Sequence, residues 1–378
     1  MGQAGGRLFA LEARSSCHPL VCPRQHLMER GTPPPPLFYS NSCLSGFQKP
    51  ARITRMSKKN SHDVAFTYFG VDVSKSHLDV ATCEDCKSQR MANTPDGIHA
   101  IVLRMAAADH PMVVLEASGG YEKDLLDALE QAGIPFRLVN PRNARNFARA
   151  CGVQAKNDNI DARMLARFGL RHQLLPQGRP AAAIRRLADL EQLRDDLIKN
   201  ALATECRIQQ SRDAFIRKTH QDQLRALHES IAEVDREIEA SVTANEEANA
   251  LRNAYQQVKG VGPRVSTKLV ALMPELGRVD RRQIASLAGV APFDCESGAW
   301  KGKRSCHGGR RVLRKNLYMA ALVASRYNEH AKAFYSRLVQ NGKPKKVALM
   351  AVARKLLCHL NSIASAVLKA LNEPSTTS

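Results

Sequence analysis

The chain has 378 residues, 44% of them hydrophobic, and a formal charge of +20 from 56 lysines and arginines against 36 acids. That apolar content can bury several cores, which excludes an intrinsically disordered chain, and no run of roughly 18 uninterrupted apolar residues offers a bilayer-spanning helix. A cationic surplus of this size calls for a polyanion, because lysine and arginine that neutralise phosphates release their counterions; nucleic acid is expected ahead of a polybasic membrane surface.

The first segment, residues 1–56, is Pro-rich at Pro33 to Pro36, holds three of the ten cysteines and shows no sustained periodicity. It reads as a disordered or mis-annotated extension outside the fold. The remaining cysteines are scattered, with Cys83 and Cys86 forming a single CxxC that lacks a second pair for zinc, so reduced cytosolic thiols are expected. By segment the net charge is +5 over 1–56, +2 over 57–180, −3 over 181–255 and +16 over 256–378. This distribution predicts a carboxylate-bearing region joined to a basic region that holds the polymer, with most of the nucleic-acid affinity in the last third.

From Phe66 the pattern becomes β-rich. "FTYFGVDVS" and "HLDVATC" predict two strands around a tight turn at Lys75-Ser76; "MVVLEAS" and "FRLVN" predict two more, with a helix from about Glu122 to Gln131 between them. Strands alternating with helices predict an α/β domain with a mixed sheet over about 64–180. Residues 184–255 are almost free of Gly and Pro, and Leu224, Leu227, Ile231, Val234 and Ile238 step by three and four, which predicts a long helical hairpin or coiled-coil helical arm over 181–255. A C-terminal helical domain follows over 256–372.

Asp72 lies inside an apolar strand and Glu116 ends another, positions where an ionised side chain is expensive without a cation or hydrogen-bond partners. Small residues follow each and leave a strand end open. Asp158 and Asp161, three apart in "KNDNIDARMLA", share a helix face, where like charges repel unless a cation bridges them. Converging at a sheet edge, these four would make a magnesium site of hard oxygen ligands suited to phosphoryl transfer. Each is also readable as a satisfied structural acid, with Asp158 as an N-cap, and Asp79, Glu122 and Asp124 compete for the role. In "VKGVGPRVSTKLV" the glycines 260 and 262 would form a helix-hairpin-helix whose backbone N–H groups, flanked by Lys259 and Arg264, bind phosphate without reading sequence. Ser297, before Gly298, lies upstream of Lys301, Lys303, Arg304, Arg310, Arg311, Arg314 and Lys315; by its own chemistry it reads as a turn serine.

Together "GVDVSKSHLDVA", "VVLEASGGYE", "KNDNIDARMLA", "VKGVGP", "LAGVAPFDCESG" and "GKPKKVALMAVARKLL" closely resemble, in that order, the IS110 family of bacterial insertion-sequence transposases, over about residues 66–372. The resemblance implies an RNase H/RuvC-like domain in which Asp72, Glu116, Asp158 and Asp161 bind metal. It also implies a coiled-coil arm and a C-terminal transposase domain in which Ser297 is the nucleophile, with Ser305 as a local competitor that lacks the following glycine. Expected partners are the DNA of element ends and target, a structured guide RNA and further copies of the chain as a dimer or tetramer, in the bacterial cytoplasm at the nucleoid and not at a membrane. The rival expectations are a metal-dependent nuclease using the carboxylates alone and a non-catalytic nucleic-acid-binding protein.

Overall fold

The computed structural model describes residues 66–373 apart from 86–87, 154–157, 295, 299 and 303; the side chains of 158–160, 300 and 301 are likewise outside it. The expectation for 1–56 falls outside the described residues.

The chain opens with β1 (Thr67–Val73), β2 (His77–Thr82) and β3 (Gln89–Ala92), followed by α1 (Pro95–Ala106), β4 (Pro111–Glu116), α2 (Lys123–Gln131), β5 (Phe136–Val139), α3 (Pro141–Ala150) and α4 (Asp158–His172). The five strands lie in the order β3-β2-β1-β4-β5. β1, β2 and β3 are antiparallel neighbours, whereas β4 pairs parallel with both β1 and β5. This is the expected mixed sheet. β3 escapes the sequence reading because its four residues, Gln-Arg-Met-Ala, are largely exposed on an edge and carry no apolar alternation.

Both faces of the sheet are covered, so β1 reads as a nearly continuous apolar run. Phe69, Val71, Val113 and Leu115 pack against α1 and α2. Tyr68, Met112 and Val114 pack on the opposite side with Leu165 of α4 and Ala144 of α3. Local chemistry sets the helix starts: Thr94 caps α1 by accepting from the Gly97 amide, and Asn140 caps α3 by accepting from Arg142, each followed by proline in the first turn.

α4 packs unusually close to the sheet, and two glycines permit it. A Cβ on Gly70 would lie 1.9 Å from the Ala162 carbonyl oxygen and 2.5 Å from the Ala166 nitrogen; a Cβ on Gly169 would meet Tyr68 and Val114 at 2.6 and 2.7 Å. These contacts also set direction: Gly70 meets the first half of α4, and Tyr68, two residues earlier, meets its last turn, so α4 runs antiparallel to β1. Gly70→Ala should therefore push α4 off the sheet, because backbone atoms cannot rotate away. We expect a loss of about 3 kcal/mol, measured by chemical denaturation.

The arm is a helical hairpin of α5 (Ala182–Gln210) and α6 (Ala214–Thr243), turned at Ser211–Asp213, where Asp213 caps α6 through the Ile216 amide. Each helix is about 44 Å long. Along the predicted seam Val234 and Ile238 are buried, while Leu224, Leu227 and Ile231, farther from the base, are half-buried. Beyond it lie α7 (Glu246–Gln256), α8 (Pro263–Leu272), α9 (Arg281–Leu287), α10 (Arg311–Tyr327), α11 (Glu329–Gln340) and α12 (Lys345–Asn372).

One apolar cluster runs from Leu187, Val234 and Ile238 at the arm's base through Tyr255, Leu269, Ile284 and Leu317 to Leu357 and Leu360. The arm is fastened there by charge as well. Lys268 of α8, only 6% exposed, donates to Asp195 at 2.5 Å and lies 3.7 Å from Glu191, whose carboxyl is pushed up in pKa chiefly by burial. By length and composition α12 could cross a bilayer, but half of its most apolar stretch is buried here, including Val352, Leu356, Leu357 and Leu360.

Candidate active site

Side chains alternate across a strand, so Asp72, two residues after Gly70, points to the α4 side of the sheet. Glu116, two after Val114, points there too. The parallel register pairs Val71 with Leu115, which makes Asp72 and Glu116 the next neighbours at the carboxyl ends of adjacent strands, about 5 Å apart at Cα. Because α4 runs antiparallel to β1, its first turn lies at that same end of the sheet. Asp161 is in that turn, partly exposed like Asp72 and Glu116, and Asp158 opens the helix, its side chain outside the described residues. Among the described residues no three carboxylates, imidazoles or thiols lie close enough to hold an ion. The candidate donors are all carboxylates, a chemistry that suits a hard divalent cation and not zinc.

The competing acids have other occupations. Asp79 lies directly opposite Asp72 and is 5% exposed, but Arg90 spans both its oxygens at 2.9–3.2 Å. That pairing offsets the repulsion of two like charges facing each other across strands. Asp124 is an exposed acid in the first turn of α2, where it complements the helix dipole.

Glu122 shapes the loop after Glu116. Its Oε2 accepts from the Ser118 hydroxyl at 2.7 Å, the Gly120 amide at 2.8 Å and the Ser118 amide at 3.2 Å. Burial opposes its ionisation, yet these donors outweigh burial and hold the carboxyl below its ordinary pKa. A folded-state pKa below the unfolded one gives stability that is present above the ordinary carboxylate pKa and lost as pH falls through the depressed value. Glu122→Gln should therefore cost about 1 kcal/mol at pH 7, discounted for partial exposure. Denaturation curves of the two proteins should converge in acid.

Ser297 sits on a β-ribbon between α9 and α10. β6 (Pro292–Phe293) pairs with β9 (Ser305–Cys306), and nested inside them β7 (Glu296–Ser297) pairs with β8 (Trp300–Lys301). The inner pair closes on Gly298, whose φ of 55° is the left-handed conformation that a tight hairpin needs. Ser297 is exposed, and among the described residues its hydroxyl has no hydrogen-bond partner. Ser305, at the ribbon's base, is the serine beside a base: its Oγ lies 3.5 Å from His307 Nδ1.

The basic residues divide into two groups. Arg264 is clamped to Asp235 of α6 at 2.5 and 2.6 Å, Arg310 to Glu275 at 2.5 and 2.7 Å, and Arg304 to Asp294. Arg314 donates to the carbonyls of Gly289 and Gly308, pinning the ribbon base. Lys259, Arg311 and Lys315 are exposed. Lys303 lies outside the described residues, as does the side chain of Lys301. Between α7 and α8, Gly260 has φ 108° and leaves no room for a Cβ, which would meet Ala324 of α10 at 2.7 Å. Gly262 caps α8 and is open to solvent. The sequence offers no sign of the arginine pairings, since their acids lie up to 35 residues away.

Residues 69–216 match the DEDD transposase model of IS110 elements, and residues 253–336 match the family described as transposase IS116/IS110/IS902. The chain is 28% identical to proteins named pilin gene-inverting protein in Moraxella lacunata and Moraxella bovis, over 77% of its own length and 93% of theirs. It is also 28% identical to an IS110 insertion-element protein of Streptomyces coelicolor, over 35% of this chain and 32% of that one. A DEDD-type domain implies a divalent-metal requirement, and transposition implies DNA as the partner. The chain belongs to the IS110 family of transposases and is a DNA transposase/recombinase.

Proposed function

We propose that this enzyme cuts and rejoins the DNA of its own insertion sequence through a phosphoserine intermediate. The Ser297 oxygen attacks a scissile phosphorus, its proton is lost, and the strand's 3′ oxygen leaves as a 3′-hydroxyl. A 3′-hydroxyl of the exchanging strand then attacks the serine-linked phosphorus and returns the serine. Bond number is conserved throughout, so no energy source is needed. Asp72, Glu116, Asp158 and Asp161 would hold magnesium, which when bound supplies charge stabilisation for the attacking and leaving oxygens.

The observation that carries this reading is the juxtaposition of Asp72 and Glu116 on neighbouring strand ends beside the first turn of α4. The strand order, antiparallel then parallel, supports an RNase H/RuvC-like domain at about 64–180. The α7–α8 turn at Gly260 and Gly262 supports a helix-hairpin-helix in a transposase domain at 256–372. The hairpin at 181–255 would pair as a coiled coil in a dimer or tetramer, and an element-encoded structured RNA would choose the DNA, in the cytoplasm at the nucleoid. Purified protein mixed with labelled element ends, the element's transcript and magnesium tests the mechanism: it predicts rejoined strands and a protein–DNA adduct that survives denaturation. Cut ends without an adduct would instead favour hydrolysis.

A further inference from the structure

The near-neutral charge of the sheet domain conceals a division between its layers. Residues 57–140 carry eight basic and twelve acidic groups, whereas residues 141–180 carry eight basic groups and only two acids, Asp158 and Asp161. The second stretch supplies α3 and α4, which together cover one face of the sheet. Phe147 of α3 packs edge-on against Phe168 of α4, with ring centroids 5.2 Å apart, and against His172 at 5.5 Å, so the two helices are held as one layer.

Four arginines stand exposed on this layer. Arg142 and Arg149 are seven apart on α3, and Arg167 and Arg171 are four apart on α4, so each pair shares a helix face. Among the described residues none of the four is ion-paired. Elsewhere in the domain three arginines are matched: Arg90 with Asp79, Arg104 with Asp85, and Arg179 with Asp127 and Glu130. Like charges one turn apart repel, and α4 has no exposed acid beyond its first turn to relieve them. The layer therefore presents guanidinium groups to an anion that none of the described residues supplies.

The direction of α4 says where that anion leads. From Asp161 at the carboxylate edge, the axis passes Arg167 after about 9 Å and Arg171 after about 15 Å. A DNA strand advances about 3.4 Å per phosphate, so these side chains would meet phosphates roughly three and four steps from one held at the carboxylates. We propose that the α3–α4 face is a sequence-independent tract for the DNA backbone, separate from the basic C-terminal third, that feeds the strand to the carboxylate edge. The proposal rests on the DNA-processing reading above, and DNA is its occupant because the tract ends where DNA is cut.

The test uses the full chain with Arg142, Arg149, Arg167 and Arg171 all replaced by Gln, the Arg167→Gln/Arg171→Gln pair alone, and the corresponding four Lys replacements. Binding of a short duplex of arbitrary sequence is measured across salt concentrations. Each lost phosphate contact should flatten the log–log slope by about 0.9, so the fourfold Gln variant should lose about 3 to 4 in slope and the pair about 2. The Lys variant should keep the slope, and thermal midpoints should stay at wild type. If the fourfold variant does not fold, the pair carries the test. A wild-type slope in the Gln variants overturns the tract and leaves the DNA reading standing. Lost affinity for a structured RNA with unchanged DNA binding also overturns it, giving the face to RNA. A wild-type protein that binds no duplex at low salt would overturn both readings.

Discussion

Ser297→Ala is expected to abolish the covalent protein–DNA adduct and to slow strand exchange by about four orders of magnitude or more, while DNA affinity and thermal stability remain at wild-type values. The stability half follows from the site's location. Ser297 is exposed on a ribbon and its hydroxyl has no hydrogen-bond partner among the described residues, so truncation removes no packing and leaves no buried group unsatisfied. The binding half follows from charge: the hydroxyl is neutral, and phosphate affinity resides in lysine and arginine. Only chemistry should be lost. Ser305→Ala supplies the control, because Ser305 shares the ribbon and has His307 beside it. It should exchange strands at a near-normal rate. An adduct that persists in Ser297→Ala and disappears in Ser305→Ala would move the nucleophile to the ribbon's base. Ser297→Cys extends the comparison, since a thiolate that still attacked phosphorus would do so with an altered metal preference.

Asp72→Asn should lower strand exchange by at least about a hundredfold without weakening DNA binding. Its effect on stability separates a metal ligand from a structural acid. Asp72 faces Asp79 across the β1–β2 pair, and Arg90 donates to Asp79. Asparagine keeps the side chain's size and a carbonyl acceptor while removing one of two facing negative charges, so without divalent ions the thermal midpoint should stay close to wild type. With magnesium the wild type should pull ahead. An ion that binds the folded protein raises its thermal midpoint by mass action, and Asp72→Asn should lose that rise. Asp161→Asn should behave alike. Strand exchange at wild-type rate in either variant would sink the carboxylate site. A large drop in midpoint without metal would make Asp72 a structural residue.

Much of the architecture was legible before any coordinates, because its signals are local. Alternating apolar residues around Asp72 and before Glu116 mark strands, and the steps of three and four from Leu224 to Ile238 mark the helix of the arm; both periodicities are properties of the backbone itself. β3 was not legible, since a four-residue polar edge strand is stabilised by its partner and not by its own pattern.

For the candidate site, the sequence determined the residue types and their positions at strand ends, and it marked the last third as basic. Tertiary structure decided the rest. That Asp161 comes to the same end as Asp72 follows from α4 lying antiparallel on β1, which in turn depends on two glycines: Gly70 lets the strand meet the helix backbone, and Gly169 leaves room for the Tyr68 and Val114 side chains. Charge was legible only as a sum. Arg264 and Arg310 count toward the basic total yet are held by Asp235 and Glu275, whereas Arg167 and Arg171 lie in a segment of near-zero net charge and stand exposed on one face. A periodicity is written within a few consecutive residues, but whether a charge is matched depends on which distant element folds against it.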